Sequence, residues 1–120
     1  MKFSISLTSG TDKPVSAAEI QAFAKSTETL GFHGIYVTDH FYHNNANFHS
    51  VSAAAVLCAA TKRLQIGFSA YQVPLRHPIV IAKEFAMLDA LSEGRLVTAF
   101  ATGSYEKEFE ALKCRFYMTC

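Results

Sequence analysis

Gly34-Ile35-Tyr36-Val37-Thr38 is a run of β-branched and aromatic residues that passes directly into Asp39-His40-Phe41-Tyr42-His43-Asn44-Asn45. A short apolar run bounded by a glycine and a polar cluster predicts a buried strand that opens into a loop. Three other stretches have the same character: Phe3–Leu7, Leu64–Ala70 and Leu96–Ala101. The four begin at residues 3, 34, 64 and 96, so they are 31, 30 and 32 residues apart. The segments between them read as helices. The first opens on Ser16-Ala17-Ala18-Glu19, a capping box in which each end satisfies the other's orphan amide. It sets Ile20, Phe23, Ala24, Thr27 and Leu30 on one stripe and ends at Gly31. The second covers about 50–60, and the third starts at Pro78, a good first-turn residue. That third segment lines up Ile81, Ala82, Phe85 and Leu88 and closes at Gly94.

Strand and helix alternating about every 30 residues predicts right-handed βαβ crossovers and a parallel α/β sheet. Two architectures use that unit. An open doubly wound sheet fits 120 residues. A (β/α)₈ barrel needs about 250 residues, and four units are half of one. Length alone favours the open sheet.

Composition narrows the function classes. Half of the residues are hydrophobic and 18% are charged, which is incompatible with disorder. Lys and Arg number 11 against 10 Asp and Glu, with no cationic cluster, so no nucleic-acid partner is expected. No stretch approaches the roughly 20 apolar residues that span a bilayer. Met1-Lys2-Phe3-Ser4 does not read as a signal peptide, and the expected location is cytoplasmic, away from membranes. Cys58, Cys114 and Cys120 have no C-x-x-C spacing, which argues against a disulfide framework or a zinc knuckle. Cys58, inside an alanine-rich run, reads as a small buried thiol.

Chemistry in parallel α/β folds collects at the carboxyl ends of strands, and the unusual residues of this chain lie there. An imidazole is the side chain suited to hold or pass a proton at neutral pH, which singles out His40; the plainer reading is a surface-loop histidine beside an acid. Asp39 is either a site carboxylate or a turn residue that binds loop amides. Asp39, His40, His43 and His49 could gather around a metal, but no helix fixes them and no metal is expected. Arg76-His77-Pro78 either presents a cation at a helix start or is solvated. Asp89 and Arg95 flank a turn where they could pair, and Phe3, Phe23, Phe85 and Phe100 read as core. Neither a G-x-G-x-x-G nor a Walker loop is present.

Taken together, five segments resemble the bacterial luciferase-like monooxygenases, a family of flavin- and deazaflavin-dependent enzymes. They are Glu28-Thr-Leu-Gly-Phe-His-Gly-Ile-Tyr-Val-Thr-Asp-His40, Thr61-Lys-Arg-Leu-Gln-Ile-Gly67, Arg76-His-Pro78 with Ala82-Lys83, Leu88-Asp-Ala-Leu-Ser-Glu-Gly-Arg95, and Thr102-Gly103 with Glu106 and Glu108-Phe109. The resemblance spans residues 1 to about 112 and is to the first half of the family's barrel only. It therefore implies the amino-terminal half of a (β/α)₈ barrel: 1–120 as a single partial domain, with 113–120 a divergent tail. It implies His40 as the catalytic residue beside the reactive edge of the cofactor ring. Asp39, Ser69, Ala70, Thr102 and Gly103 would be cofactor-binding, with a non-proline cis peptide at Ser69–Ala70. Luciferases proper tend to have arginine at the Thr102 position and many deazaflavin members threonine, so FMN and the deazaflavin coenzyme F-420 both stay open.

The implied activity is oxidation of a small organic substrate with reduced FMN and oxygen, or hydride transfer with a deazaflavin. The alternatives are a non-catalytic half-barrel, a flavodoxin-like binding module, or an inactive truncated remnant. Strands five to eight of the family's barrel have no counterpart here. The open sheet edge leads to the expectation of a homo-oligomer or of pairing with a carboxyl-terminal half.

Overall fold

In the computed structural model, which describes residues 1–11, 13–41 and 46–114, the four expected strands form one sheet. The elements run β1 (Ser4–Leu7), β2 (Gly10–Thr11), α1 (Ala17–Thr29), β3 (Gly34–Val37), β4 (Ala46–Asn47) and α2 (Ser50–Ala60). They continue with β5 (Gln65–Gln72), a single 3₁₀ turn over Val73–Leu75, α3 (Pro78–Ser92), β6 (Leu96–Ala101) and α4 (Glu106–Ala111). The sheet has the order β1-β3-β5-β6, and each neighbouring pair is parallel. β2 and β4 form a small antiparallel ribbon between the loops that leave β1 and β3.

Strand order decides between the two architectures. A doubly wound sheet reverses its order and carries helices on both faces. Here the strands follow one another in sequence, and one face takes all the helical packing. Ile35, Val37, Ile66 and Phe68 are buried on that face with Ile20 and Ala24 of α1, Ala54, Leu57 and Cys58 of α2, and Leu88 of α3. Ser4, Ser6, Tyr36, Ser69, Val97 and Ala99 lie around a hollow of about 390 Å³ on the other face. This is the singly wound order of a (β/α)₈ barrel, taken through four consecutive units. The open doubly wound sheet that length favours is excluded.

Local signals set the helix ends. Ser16 and Glu19 close the capping box, with Glu19 N–H donating to Ser16 Oγ at 3.2 Å and Ser16 N–H to Glu19 Oε2 at 2.8 Å. Gly31 leaves α1 at φ +80°, a left-handed turn that suits glycine. Leu30 falls outside the buried stripe and is 75% exposed. The core expectation also fails for Phe3 and Phe100, both exposed, whereas Phe23 and Phe85 pack against the core. Phe3 precedes β1, and Phe100 stands on the sheet's edge strand, where the Phe85 and Tyr71 rings, 5.5 and 6.4 Å away, cover one side of it.

Arg95 does not pair with Asp89, which is exposed. Its guanidinium donates to the carbonyls of Cys58 (3.2 Å), Thr61 (3.1 Å) and Leu64 (2.8 Å) and to Thr61 Oγ1 (2.9 Å). α2 has no basic residue in its last turn, so its unpaired carbonyls capture the cation in place of a solvated carboxylate. Cys58 is buried as expected, and burial pushes its thiol up.

Gly67 is the tightest point of the sheet. A Cβ there would overlap the Val97 backbone carbonyl on β6, which is backbone and cannot swing aside. Gly67→Ala is expected to cost about 3 kcal/mol or more, or to abolish folding, read as the urea midpoint of the chain. A variant within about 1 kcal/mol of the parent would show that β5 and β6 part easily.

Candidate functional site

A cleft of about 260 Å³ lies at the carboxyl ends of β3, β5 and β6. All six residues singled out in the sequence, Asp39, His40, Ser69, Ala70, Thr102 and Gly103, line it, together with Thr38, Gln72, Ala101 and Ser104. Two adjacent residues of β5 reach the same cleft because that strand carries an extra residue. Phe68 faces Thr98 and Tyr71 faces Phe100, so three steps on β5 match two on β6. The bulge turns both Ser69 and Ala70 toward the cleft while Phe68 and Tyr71 stay on the helix side, ring centroids 5.1 Å apart. The Ser69–Ala70 peptide is cis, as the resemblance implied.

Asp39 is 3% exposed and has both carboxylate oxygens engaged. Oδ1 accepts from Ser50 Oγ (2.6 Å) and Arg76 Nη2 (2.7 Å), and Oδ2 from Gln72 N–H (2.9 Å) and Arg76 Nη1 (2.8 Å). Burial alone would raise this carboxyl, but the Arg76 fork, the Ser50 hydroxyl and the Gln72 amide outweigh it and hold it below the ordinary aspartate range. Arg76 is neither solvated nor offered to an outside anion. Its guanidinium lies 4.1 Å from the Phe41 ring centroid and 4.2 Å from that of Tyr71, and its charge is spent on Asp39. Tyr71 in turn donates its hydroxyl proton to Glu84 at 2.8 Å. Burial, with that hydrogen bond, pushes the phenol up, so it remains a donor.

His40 is held by a residue to which the sequence gave no role. Glu108 of α4 is fully buried; its Oε2 lies 3.1 Å from His40 Nδ1 and its Oε1 accepts from the Phe41 N–H at 2.5 Å. An ionised carboxylate can only accept, so opposite an ionised Glu108 the imidazole presents Nδ1–H. Gln72 is the second residue missed: its amide nitrogen donates to Glu108 Oε2 at 3.1 Å and to the Asp39 backbone carbonyl. Gly103 has φ +85°, and a Cβ there would stand 2.6 Å from Gln72 Oε1 and 2.9 Å from the Phe109 ring. The glycine therefore leaves room for that network as well as lining the cleft. Glu108 enters the sequence reading only within the Glu108-Phe109 piece of the resemblance, without a role, and the two residues are buried together.

His49 caps α2 by accepting from Ser52 N–H, and His43 lies outside the described residues. Among the described residues no group of three His, Cys, Asp or Glu side chains could hold a metal, and no helix is long and apolar enough to cross a membrane.

The family model described as luciferase-like monooxygenase matches residues 1–113. The chain belongs to that family. A curated relative, the alkanal monooxygenase beta chain of Photorhabdus luminescens, is 30% identical over 96 residues, covering 79% of this chain and 30% of its own. A crystal structure of a monooxygenase from Streptomyces bottropensis superposes with a TM-score of 0.80 at 31% identity, over 94% of this chain and 36% of that one. Two further structures share the fold. One is an oxygenating constituent of a diketocamphane monooxygenase from Pseudomonas putida in complex with FMN, with 18% identity and a TM-score of 0.80 over 93% of this chain and 32% of that one. The other is a secondary alcohol dehydrogenase dependent on coenzyme F-420 and bound to an F-420–acetone adduct, with 26% identity and a TM-score of 0.68 over 86% of this chain and 32% of that one. The chain thus spans about a third of the length of the proteins it matches.

In this luciferase-like chain the buried ion pair carries a pH signature. The folded Asp39 carboxyl lies below its unfolded value, so its contribution is complete above the unfolded value of about 3.9 and is lost as pH falls through the folded one. Arg76→Met leaves the Asp39 charge buried without its partner and is expected to cost about 3–5 kcal/mol at pH 7. The difference between parent and variant should shrink below about pH 4, as the carboxyl is neutralised. Urea titrations at both pH values read it, and a pH-independent difference would contradict the assignment.

Proposed function

We propose that this chain supplies the proton-handling part of a cofactor-dependent oxidoreductase that acts on a small organic substrate, and that the cleft receives the reactive edge of a flavin ring. The carrying observation is that His40, Ser69, Ala70, Thr102 and Gly103, far apart in sequence, line one cleft at the strands' carboxyl mouth. The cleft suits a flat ring because Ala70, Ala101 and Gly103 put little side-chain volume into it. FMN is the first assignment, since the relatives matched are monooxygenases. Coenzyme F-420 is the alternative, supported by Thr102 where luciferases tend to have arginine and by the F-420-dependent neighbour. When bound, reduced FMN supplies electrons for oxidation by oxygen, whereas a deazaflavin supplies a hydride.

The chain's own residues have separate tasks. His40 is the catalytic residue, with Nδ1–H on Glu108 and Nε2 as the basic nitrogen that holds or exchanges a proton. Asp39 acts from behind, fixing the start of the loop through Arg76, Ser50 and Gln72. Ser69 and Ala70 form one wall, and Thr102 and Gly103 another. The hollow on the concave face is where the remaining strands, from the same polypeptide or from a second copy, exclude water. Residues 1–120 form one partial domain, with 113–120 as its divergent tail.

A chimera in which this chain replaces the matching part of the Streptomyces monooxygenase tests the proposal. It is expected to quench FMN or deazaflavin fluorescence saturably. His40→Ala should lower its turnover by roughly 10²–10⁴-fold while leaving its unfolding midpoint nearly unchanged. Equal turnover in the variant would remove His40 from the chemistry. A folded chimera that quenches neither cofactor would favour a non-catalytic half-barrel.

A further inference from the structure

The Gln72 side chain lies between the two buried acids of the site and is 4% exposed. Its amide nitrogen stands 2.5 Å from the Asp39 carbonyl, 3.1 Å from Glu108 Oε2 and 3.4 Å from His40 Nδ1. Its Oε1 is buried without a hydrogen-bond partner. Exchanging the amide oxygen and nitrogen would set an acceptor against a carbonyl and a carboxylate, so the neighbours dictate the orientation. An amide nitrogen carries two hydrogens and here meets three acceptors. The two shorter contacts take them. His40 Nδ1 receives none and meets Glu108 Oε2 at 3.1 Å as a donor.

We infer that Gln72 is a positioning residue: by donating to Glu108 Oε2 it keeps that oxygen a bare acceptor and so holds the His40 proton on Nδ1. The consequence for catalysis rests on the role given to His40 above, but the tautomer itself does not. Hydrogen bonds to a carboxylate favour its charged form. Without the Gln72 amide, the pair can take up one proton from solvent: Oε2 then carries a proton and donates it to Nδ1, while the ring's own hydrogen is exchanged through solvent to Nε2. The basic nitrogen would be turned away from the position in which the cleft uses it. The arrangement also accounts for the orphan Oε1: two donations fix the amide, and its oxygen is left against Gly103, where a Cβ would strike it at 2.6 Å.

The test uses the full ¹⁵N-labelled chain without cofactor. Long-range proton–nitrogen spectra, recorded near pH 8 where an ordinary histidine is neutral, distinguish the two tautomers. The His40 signals are assigned with His40→Asn. The parent should show the Nδ1–H pattern. Gln72→Met, similar in shape and lacking the amide, should shift the tautomer ratio toward Nε2–H by roughly tenfold or more, as expected for one hydrogen bond to a charged group. Should that variant not fold, Gln72→Asn keeps an amide but draws it back by one methylene, and the same shift is expected. An Nε2–H pattern in the parent, or a folded Gln72 variant with the parent's ratio, overturns the inference. Loss of the cofactor assignment with these spectra as expected would leave the inference standing, so the two fail separately.

Discussion

The bidentate pair between Arg76 and Asp39 is the interaction on which the cleft depends. It joins the exits of β3 and β5, neighbouring parallel strands whose ladder ends at Val37 and Phe68. Beyond that point no backbone ladder sets the spacing of the two chains, and the fork takes over with two bonds of 2.8 and 2.7 Å. Burying both charges is costly, and the cost is offset because each carboxylate oxygen has two defined donors and the guanidinium lies against two aromatic rings. Because Asp39 is fixed on all sides, its neighbour His40 emerges with one backbone direction. Glu108 then has a stationary imidazole to meet.

The second constraint is the extra residue in β5. A regular strand alternates faces, so of Ser69 and Ala70 only one could have faced the cleft, and Tyr71 would have left the aromatic layer. Inserting one residue satisfies both demands. Phe68, Tyr71 and Phe85 remain together on the helix side, with Tyr71 and Phe85 centroids 4.8 Å apart, and the cleft gains a wall of two small residues. Tyr71 also lies against the Arg76 guanidinium, so the bulge and the ion pair support each other. Packing behind the sheet and polar geometry at its mouth are thus one structure.

What was legible in the sequence follows from the range of each signal. The strands, the Ser16 capping box, Gly31 and Pro78 are local, and they appear within a residue or two of where they were read; β6 runs over Leu96–Ala101 as expected. Spacing could not separate a barrel from an open sheet, because both repeat a βαβ unit; the strand order and the side on which the helices pack do so. The partners of Asp39 and His40 lie 37 and 68 residues away, and nothing near Arg76 or Glu108 records the pairing. The resemblance supplied positions that a local reading could not. It placed six residues on one cleft, yet it gave no role to Glu108 or Gln72, which hold those residues in place.

The division of labour within the fold explains why the cleft is formed by four units alone. Each strand exit in the cleft is bound by contacts made on the helix side or at the mouth: Arg76 and Ser50 on Asp39, Glu108 on His40 and Phe41, Gln72 between them. None of these bonds crosses the concave face. That face instead presents Ser4, Ser6, Tyr36 and Ser69, small or polar groups around an open hollow, where a barrel interior would be filled from the opposite strands. The geometry that holds His40 is therefore set within these four units.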